Sequence, residues 1–548
     1  MFRTSAIGRL ARHLKTALLA ERLGLCSRDA VALVHESLHQ AHRNKEDTCL
    51  TRRSVLKSTA SAIVSVAATG SMGIASGQTG NKKAINQSVG IVGAGMAGLL
   101  AARELLKQGA NVSIYEASNR VGGRILSLGG VFPGQVAELG GELIDTTHKT
   151  MLNLAREFNL AVEDVNKVDG DVFYHFLGRN YDESEVVDQF RQFVPAMKED
   201  LRKLSKQISA NVFTTSDRRQ DLISLLDYLD GNNAKKIPAP PLLREVIRVA
   251  YTIEYGLEAY DQSSINLLHF MHADNRSSFK PWGIFSDERY HIVGGNDQIV
   301  KRLAQELDAK LNYGTSLTKL SRLSDGRLQL DFSGDRPTTR VHDRVILAIP
   351  FSTLRSVQLH SSLGLPKWKL DTIAQFTIGA STKQMIGFQG RPWSGVGSNG
   401  ASYSDLDRLQ CTWETNVSKS DANRGILTNF SGGIQALMIN PLDPQQEAER
   451  FLESLEQVYP GSTQFARREG GADSSIVTAI AHWPSNPMVR GGYSCYRPGD
   501  FTSIAGLEGT AVGNLYFAGE HTDSFYSAQG FMEGACLSGL RAASEVLA

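Results

Sequence analysis

The feature that most constrains this chain is a glycine turn set between a short apolar run and a helix-forming stretch. From Ser88 the sequence reads SVGIVGAGMAGLLAARELLKQGANVSIYEASNRVGGR. Val89 to Val92 suits a buried strand, Leu99 to Lys107 a helix with Leu100, Leu105 and Leu106 in its apolar set, and Val112 to Tyr115 a second strand. Together they make a βαβ unit. In its turn, Gly93 permits the sharp reversal, Gly95 lets a pyrophosphate approach the backbone, and Gly98 lets helix and strand pack closely. The helix start, with Ala97 in its first turn, offers amide donors and the positive end of a dipole to phosphate. A glycine pattern alone is weak. Here Glu116 closes the second strand about 20 residues on, placed to hold a ribose 2′-hydroxyl, which disfavours a 2′-phosphorylated dinucleotide.

The stretch after Glu116 narrows the ligand. Arg120-Val-Gly-Gly123-Arg124 places two glycines and a basic side chain just past the second strand, where Arg124 is expected to grip pyrophosphate oxygens in a bidentate fork. On these motifs the sequence resembles the flavin amine oxidase family, which includes monoamine, polyamine and L-amino-acid oxidases. The resemblance runs from about residue 88 to the C-terminus. Glu138-Leu-Gly140-Gly141 resembles the family's glycine pair beside the flavin ring, Gly294-Gly295 opens a helix at Asn296, and Ser316 falls where a backbone amide meets adenine. The strand Val345 to Ile349, ending at Pro350, resembles a further element of that fold. Leu515-Tyr-Phe-Ala-Gly519-Glu520-His-Thr and Gly530-Phe531-Met532-Glu-Gly-Ala resemble the second flavin signature. There Glu520 can accept from ribityl hydroxyls, and the Met532 amide, at the start of the final helix, can stabilise the electron-rich edge of reduced flavin.

The resemblance therefore implies FAD and an α/β fold, with a Rossmann-like discontinuous FAD-binding domain and an inserted α+β substrate-binding domain. The FAD-binding pieces are expected at 85–150, 285–350 and 500–548, and the substrate domain at 151–284 and 351–499. In the inserts, Phe190, Phe193, Met197, Leu201, Leu204 and Ile208 predict an amphipathic helix over 189–208. Gly231 to Pro241 reads as an exposed connection, Lys383 to Phe388 as a strand, and Gln445 to Tyr459 as a helix.

Several positions in the resemblance carry chemistry. Lys383 lies on an apolar strand, where an ammonium needs a polar cavity; its family counterpart holds a water at flavin N5. Trp483 and Tyr493 resemble the aromatic positions on the flavin's substrate face, and Phe531 takes the second place of the aromatic pair. Such rings can strip water from an amine and favour its neutral form. Covalently flavinylated monoamine oxidases carry Cys just before the first aromatic; here that residue is Gly492, so FAD is expected to be non-covalent. Many L-amino-acid oxidases place an arginine after the glycine pair to hold the substrate carboxylate. Glu142 stands there instead, with Asp145 behind it, and suggests a cationic primary amine.

The reaction this implies takes an amine and O2 to an imine, hydrolysed to a carbonyl compound and ammonia, with H2O2 formed by hydride transfer to flavin. The alternative is an L-amino-acid oxidase acting on arginine or lysine. A desaturase or porphyrinogen oxidase of the same fold is disfavoured by Lys383 and the aromatic pair, and a non-catalytic flavin-binding protein is the remote reading. His482 and His521 flank cofactor motifs and read as hydrogen-bonding struts rather than bases.

Composition excludes other classes. With 58 Lys+Arg against 57 Asp+Glu among 548 residues, no charge excess recruits nucleic acid or an anionic membrane. No apolar window of about 18 residues predicts a spanning helix, no metal-ligand spacing appears, and five scattered cysteines make no disulfide framework. A homodimer is left open. Residues 1–50 form a basic leader, and within 51–80 Arg52-Arg53 before a short, small-residue apolar run resembles a twin-arginine signal. Export to the periplasm or medium is the expectation.

Overall fold

The computed structural model describes residues 87–165, 168–272, 287–334, 337–415, 423–469, 475–523 and 528–548. The basic leader and the twin-arginine-like segment lie outside them. The predicted βαβ unit forms the centre of a five-stranded sheet whose order is Leu515–Phe517, Arg344–Leu347, Ser88–Val92, Asn111–Tyr115 and Leu311–Asn312, each neighbouring pair running parallel. A parallel sheet is covered on both faces, so its strands need apolar side chains on both. Val89, Ile91, Val112, Ile114, Val345 and Ile346 are all essentially inaccessible. Strands from three distant parts of the chain thus share one sheet.

The helix Met96–Lys107 follows the first strand, and the last helix, Met532–Leu547, packs against it. Their approach is set by a missing side chain. A Cβ at Gly539 would lie 2.3 Å from the Ala97 carbonyl oxygen, well inside van der Waals contact.

The inserted segments build a seven-stranded sheet in the order Thr478–His482, Ser381–Gln389, Arg424–Gly432, Leu409–Glu414, Ser398–Leu406, Asp171–Phe176 and Arg179–Tyr181. The strand expected from Lys383 is longer, Ser381–Gln389, and almost wholly buried. Side chains alternate faces along it. Met385 joins Phe132 and Ala137 of the segment before the glycine pair, whereas Ile386 and Phe388 join Phe451 and Leu455 of the helix Pro444–Val458. Lys383 shares the Met385 parity and so faces that segment.

Two expectations are corrected. The helix predicted over 189–208 spans Glu183–Leu201, started by a capping box between Asp182 and Glu185. It stops early because the Asp217 carboxylate takes the backbone N–H and hydroxyl of Ser205 at 2.8 and 2.6 Å, an alternative to helical bonding. Leu204 and Ile208 stay buried outside it. The connection Gly231 to Pro241 is also less exposed than expected, since Asn233 is buried and donates to the Tyr228 and Ile237 carbonyls.

Replacing Gly539 with Val should force the two helices apart, costing about 1–3 kcal/mol as overpacking. A lower thermal midpoint together with weaker flavin retention is expected; an unchanged midpoint would remove this close approach as a constraint.

Candidate active site

The three glycines of the first turn play separable parts. Gly93 has φ +105°, a conformation side chains resist, and a Cβ at Gly98 would fall 2.0 Å from the Gly93 carbonyl oxygen. At Gly95 an added Cβ would meet nothing within 4 Å. The cradle is therefore open at Gly95 and closed at its neighbours, and Gly95 caps the helix Met96–Lys107 with no side-chain hydrogen bond. Met532 starts the last helix in the same way, with Phe531 as an N-cap that makes no side-chain bond. Two helix starts thus keep amide donors for a ligand.

Around this cradle the motif residues converge. Glu116 accepts from Ala94 N at 2.8 Å and from Ser118 N and Oγ at 2.9 and 2.8 Å, which leaves about one lone-pair direction for a ribose hydroxyl. Ser316 opens a strand beside it, tethered by Thr315 N donating to the Glu116 carbonyl at 2.8 Å. Arg120 donates to the Val121 and Gly123 carbonyls at 3.1 and 2.7 Å, bracing the second glycine turn. Gly140 packs on Arg124, where a Cβ would lie 2.1 Å from the Arg124 carbonyl oxygen, and Gly141 N donates to that oxygen at 3.0 Å.

Arg124 also has a partner within the chain. Its Nη1 meets Glu520 Oε1 at 3.0 Å and donates to the Gly492 carbonyl, with side-chain exposures of 9% and 0% for the pair. Glu520 Oε2 accepts from Ser494 Oγ and Gly530 N, both at 2.9 Å, which leaves about one lone-pair direction, as at Glu116. Gly519 has φ +127°, a conformation that favours glycine, and Thr522 N closes back onto its carbonyl at 2.9 Å.

Lys383 reaches the loop 138–142. Its ammonium donates to the Glu138 carbonyl at 2.9 Å, the Gly140 carbonyl at 3.2 Å and Glu142 Oε2 at 2.5 Å. Burial holds the Lys383 pKa below the ordinary lysine range against the pull of Glu142. The second Glu142 oxygen accepts from Trp413 Nε1 at 2.9 Å. Glu142 therefore answers a cation of the chain itself, not an open cavity, which corrects its expected role toward a substrate cation. Trp483 donates from Nε1 to the Leu139 carbonyl at 3.0 Å, and the Tyr493 hydroxyl donates to the Ile253 carbonyl. Phe531 meets the His148 ring edge-on at 4.8 Å. The loop 138–142 thus receives Lys383 and Trp483, and the Arg124–Glu520 pair joins Gly492, Ser494 and Gly530, while Tyr493 and Phe531 meet Ile253 and His148.

Sequence reasoning missed three residues. Asn296 donates from Nδ2 to the Gly141 and Glu142 carbonyls at 2.9 and 2.6 Å, Trp413 holds Glu142, and Ser494 holds Glu520. Trp413 alone carried a signal, a large ring at an alternating position of a buried strand. His521 is no strut. Neither ring nitrogen has a hydrogen-bond partner among the described residues; the ring packs edge-on to Phe351 at 4.5 Å. Burial, then the Arg124 charge, holds its pKa well below the usual value. Among the described residues no group of three His, Cys, Asp or Glu could hold a metal, and no helix is long and apolar enough to cross a membrane.

The pattern described as flavin containing amine oxidoreductase matches residues 96–547. An L-amino-acid oxidase of Pseudechis australis is 24% identical over 465 residues, 83% of this chain and 86% of that one. Polyamine oxidase 4 of Oryza sativa subsp. japonica is 24% identical over 472 residues, 84% and 87% of the two chains. The solved cyclohexylamine oxidase of Brevibacterium oxydans shares the fold with a TM-score of 0.69 at 20% identity, covering 84% of this chain and 98% of that one. The chain belongs to the flavin-containing amine oxidoreductase family, whose members use FAD to oxidise CH–NH2 groups. The open cradle at Gly95 and the two uncapped helix starts fit that cofactor.

One pH dependence follows. Burial pushes the Glu138 carboxyl up from 4.5 to about 8, against the donors Asn296 N and Ser127 Oγ. The folded chain then keeps a proton that the unfolded chain releases, so stability falls as pH rises from about 4.5 through 8, by up to about 5 kcal/mol. Glu138→Gln should flatten unfolding midpoints across that window; an unaltered slope would place the titration elsewhere.

Proposed function

We propose that the chain oxidises a primary amine, using non-covalently bound FAD and O2, to a carbonyl product, ammonia and H2O2. Bound FAD supplies the two-electron acceptor, which O2 returns to its oxidised state as it becomes peroxide. The amine loses two electrons and two protons to become an imine, and water cleaves the imine to carbonyl compound and ammonia. The reading is carried by the Lys383 ammonium, buried between the carbonyls of Glu138 and Gly140 beside the glycine pair. Such a group is costly to bury unless it serves the site.

The residues divide the work. Gly95, Met96 and Met532 would hold the cofactor's phosphates and ring edge through backbone amides, with Glu116 and Ser316 at the nucleotide end. Trp483, Tyr493 and Phe531 give an apolar surround that excludes water and favours the neutral amine. Lys383 is the cation beside them, and its three N–H groups already answer protein oxygens. A substrate carboxylate therefore gains little from it, which supports an amine over an amino acid. With Glu142 neutralised by Lys383, a second positive centre on the substrate is tolerated rather than required.

Non-covalent attachment agrees with the surroundings of Gly492. A Cβ there would lie 2.2 Å from Ser381 Oγ, so a cysteine at this place requires that hydroxyl to turn aside. Cys495 is buried, and its sulfur meets Asn266 Nδ2 at 3.9 Å. The second reading, an oxidase of arginine or lysine, is supported by the similarity to L-amino-acid oxidases. Export by way of Arg52-Arg53 completes the proposal, since a cofactor-loaded protein suits that route.

Anaerobic mixing with a panel of amines and basic amino acids tests the reading. Bleaching of oxidised flavin by amines is expected, bleaching by arginine or lysine alone would favour the second reading, and persistence of the absorbance with all of them would reject both. Lys383→Met should retain FAD but slow flavin reduction or reoxidation by roughly a hundredfold or more, as expected for loss of a preorganised charge in a dry site. Unchanged kinetics would discard the role of Lys383.

A further inference from the structure

Trp413 has no part in the reading above. It lies on the strand Leu409–Glu414, and its indole N–H donates to Glu142 Oε1 at 2.9 Å. Its ring centre is 5.4 Å from Lys383 Nζ and 5.7 Å from the Phe430 ring. The Trp413 and Lys383 strands are not neighbours; Arg424–Gly432 runs between them, with Phe430 opposite both Lys383 and Cys411 in register. Glu142 therefore spans an intervening strand, taking Lys383 on one oxygen and Trp413 on the other. A carboxylate held at both oxygens from two strands cannot turn without breaking a charge-assisted hydrogen bond.

We propose that Trp413 is a positioning residue for amine oxidation: by fixing one oxygen of Glu142 it keeps the other on Lys383, and so keeps that ammonium between the Glu138 and Gly140 carbonyls. The proposal rests on the amine-oxidation reading and adds to it a residue that touches no reacting atom. The ionisable groups facing Glu142 are Lys383, Glu138 and His291, the last paired with Glu163 at 2.8 Å. Without the indole donor one oxygen of the buried Glu142 loses its charge-assisted hydrogen bond, and the side chain can turn away from Lys383.

The test compares the FAD-loaded parent with Trp413→Phe, Glu142→Gln and the double variant. Trp413→Phe should lower kcat about tenfold, the scale of one hydrogen bond to a charged group. KM and the amount of FAD per chain should change by less than about twofold. Trp413→His, which keeps a ring N–H, should return kcat toward the parent. In the Glu142→Gln background the Phe substitution should add no further loss, and the unfolding midpoints of the four proteins should be non-additive. An unchanged kcat, or an equal loss in the Glu142→Gln background, overturns the role of Trp413. Failure of every amine to bleach the parent removes the amine reading and this proposal with it, whereas bleaching with an unchanged kcat removes Trp413 alone.

Discussion

The ion pair between Arg124 and Glu520 joins positions almost four hundred residues apart in the chain, at 3.0 Å and nearly out of solvent. Two buried charges repay their desolvation only when geometry is good and the remaining donors and acceptors are met. Here they are. Arg124 also donates to the Gly492 carbonyl, while Glu520 accepts from Ser494 Oγ and Gly530 N. Four segments, from the second glycine turn, the aromatic loop and both parts of the C-terminal motif, are thereby fixed to one another. Removing one partner would leave an uncompensated buried charge, at a cost of about 3–5 kcal/mol. The junction reaches both helix starts, since Gly530, two residues before the last helix, donates to Glu520, and Gly95, at the start of the first, bridges to Gly122 two residues before Arg124.

A second buried pair completes the arrangement. Lys383 comes from the large antiparallel sheet, and Glu142 from the loop that follows the glycine pair. The same loop carries the carbonyls that Lys383 bonds and the one that receives Trp483. Asn296, at the start of the helix Asp297–Glu306, holds the Gly141 and Glu142 carbonyls of the same loop. The loop is therefore specified by two donors, the Asn296 amide and the Lys383 ammonium. Sheet alternation alone decides that Lys383 points there, because a one-residue slip would place Gln384 at the loop and Lys383 among Ile386 and Phe388.

The parts legible in the sequence were those governed by local sterics. Glycines at 93, 95 and 98 answer to a positive φ, an empty approach and the Gly93 carbonyl five residues away, so spacing suffices to assign them, although Gly93 also faces the distant Ala348 carbonyl. Strand and helix positions followed from apolar periodicity, with small errors at the ends. What the sequence hid was partnership. Arg124 and Glu142 were each assigned an external ligand of opposite charge, yet each is met by a residue more than two hundred positions away. Charge complementarity was correctly sensed; the identity of the partner depends on how distant strands stack. The same limit concealed Trp413, Asn296 and Ser494, ordinary residues until the fold brings an acceptor to them. The early end of the helix at Leu201 belongs here too, since Asp217 competes for the backbone only once the next helix has packed.

Both pairs act on one cofactor site, and the cofactor itself is the sharpest probe. Purified full-length chain, assayed for flavin absorbance against protein, should carry close to one FAD per chain, and acid precipitation should release the yellow colour into the supernatant. Protein that is colourless as isolated, and remains so after incubation with added FAD and removal of the excess, would contradict the central claim that these distant segments close around a flavin.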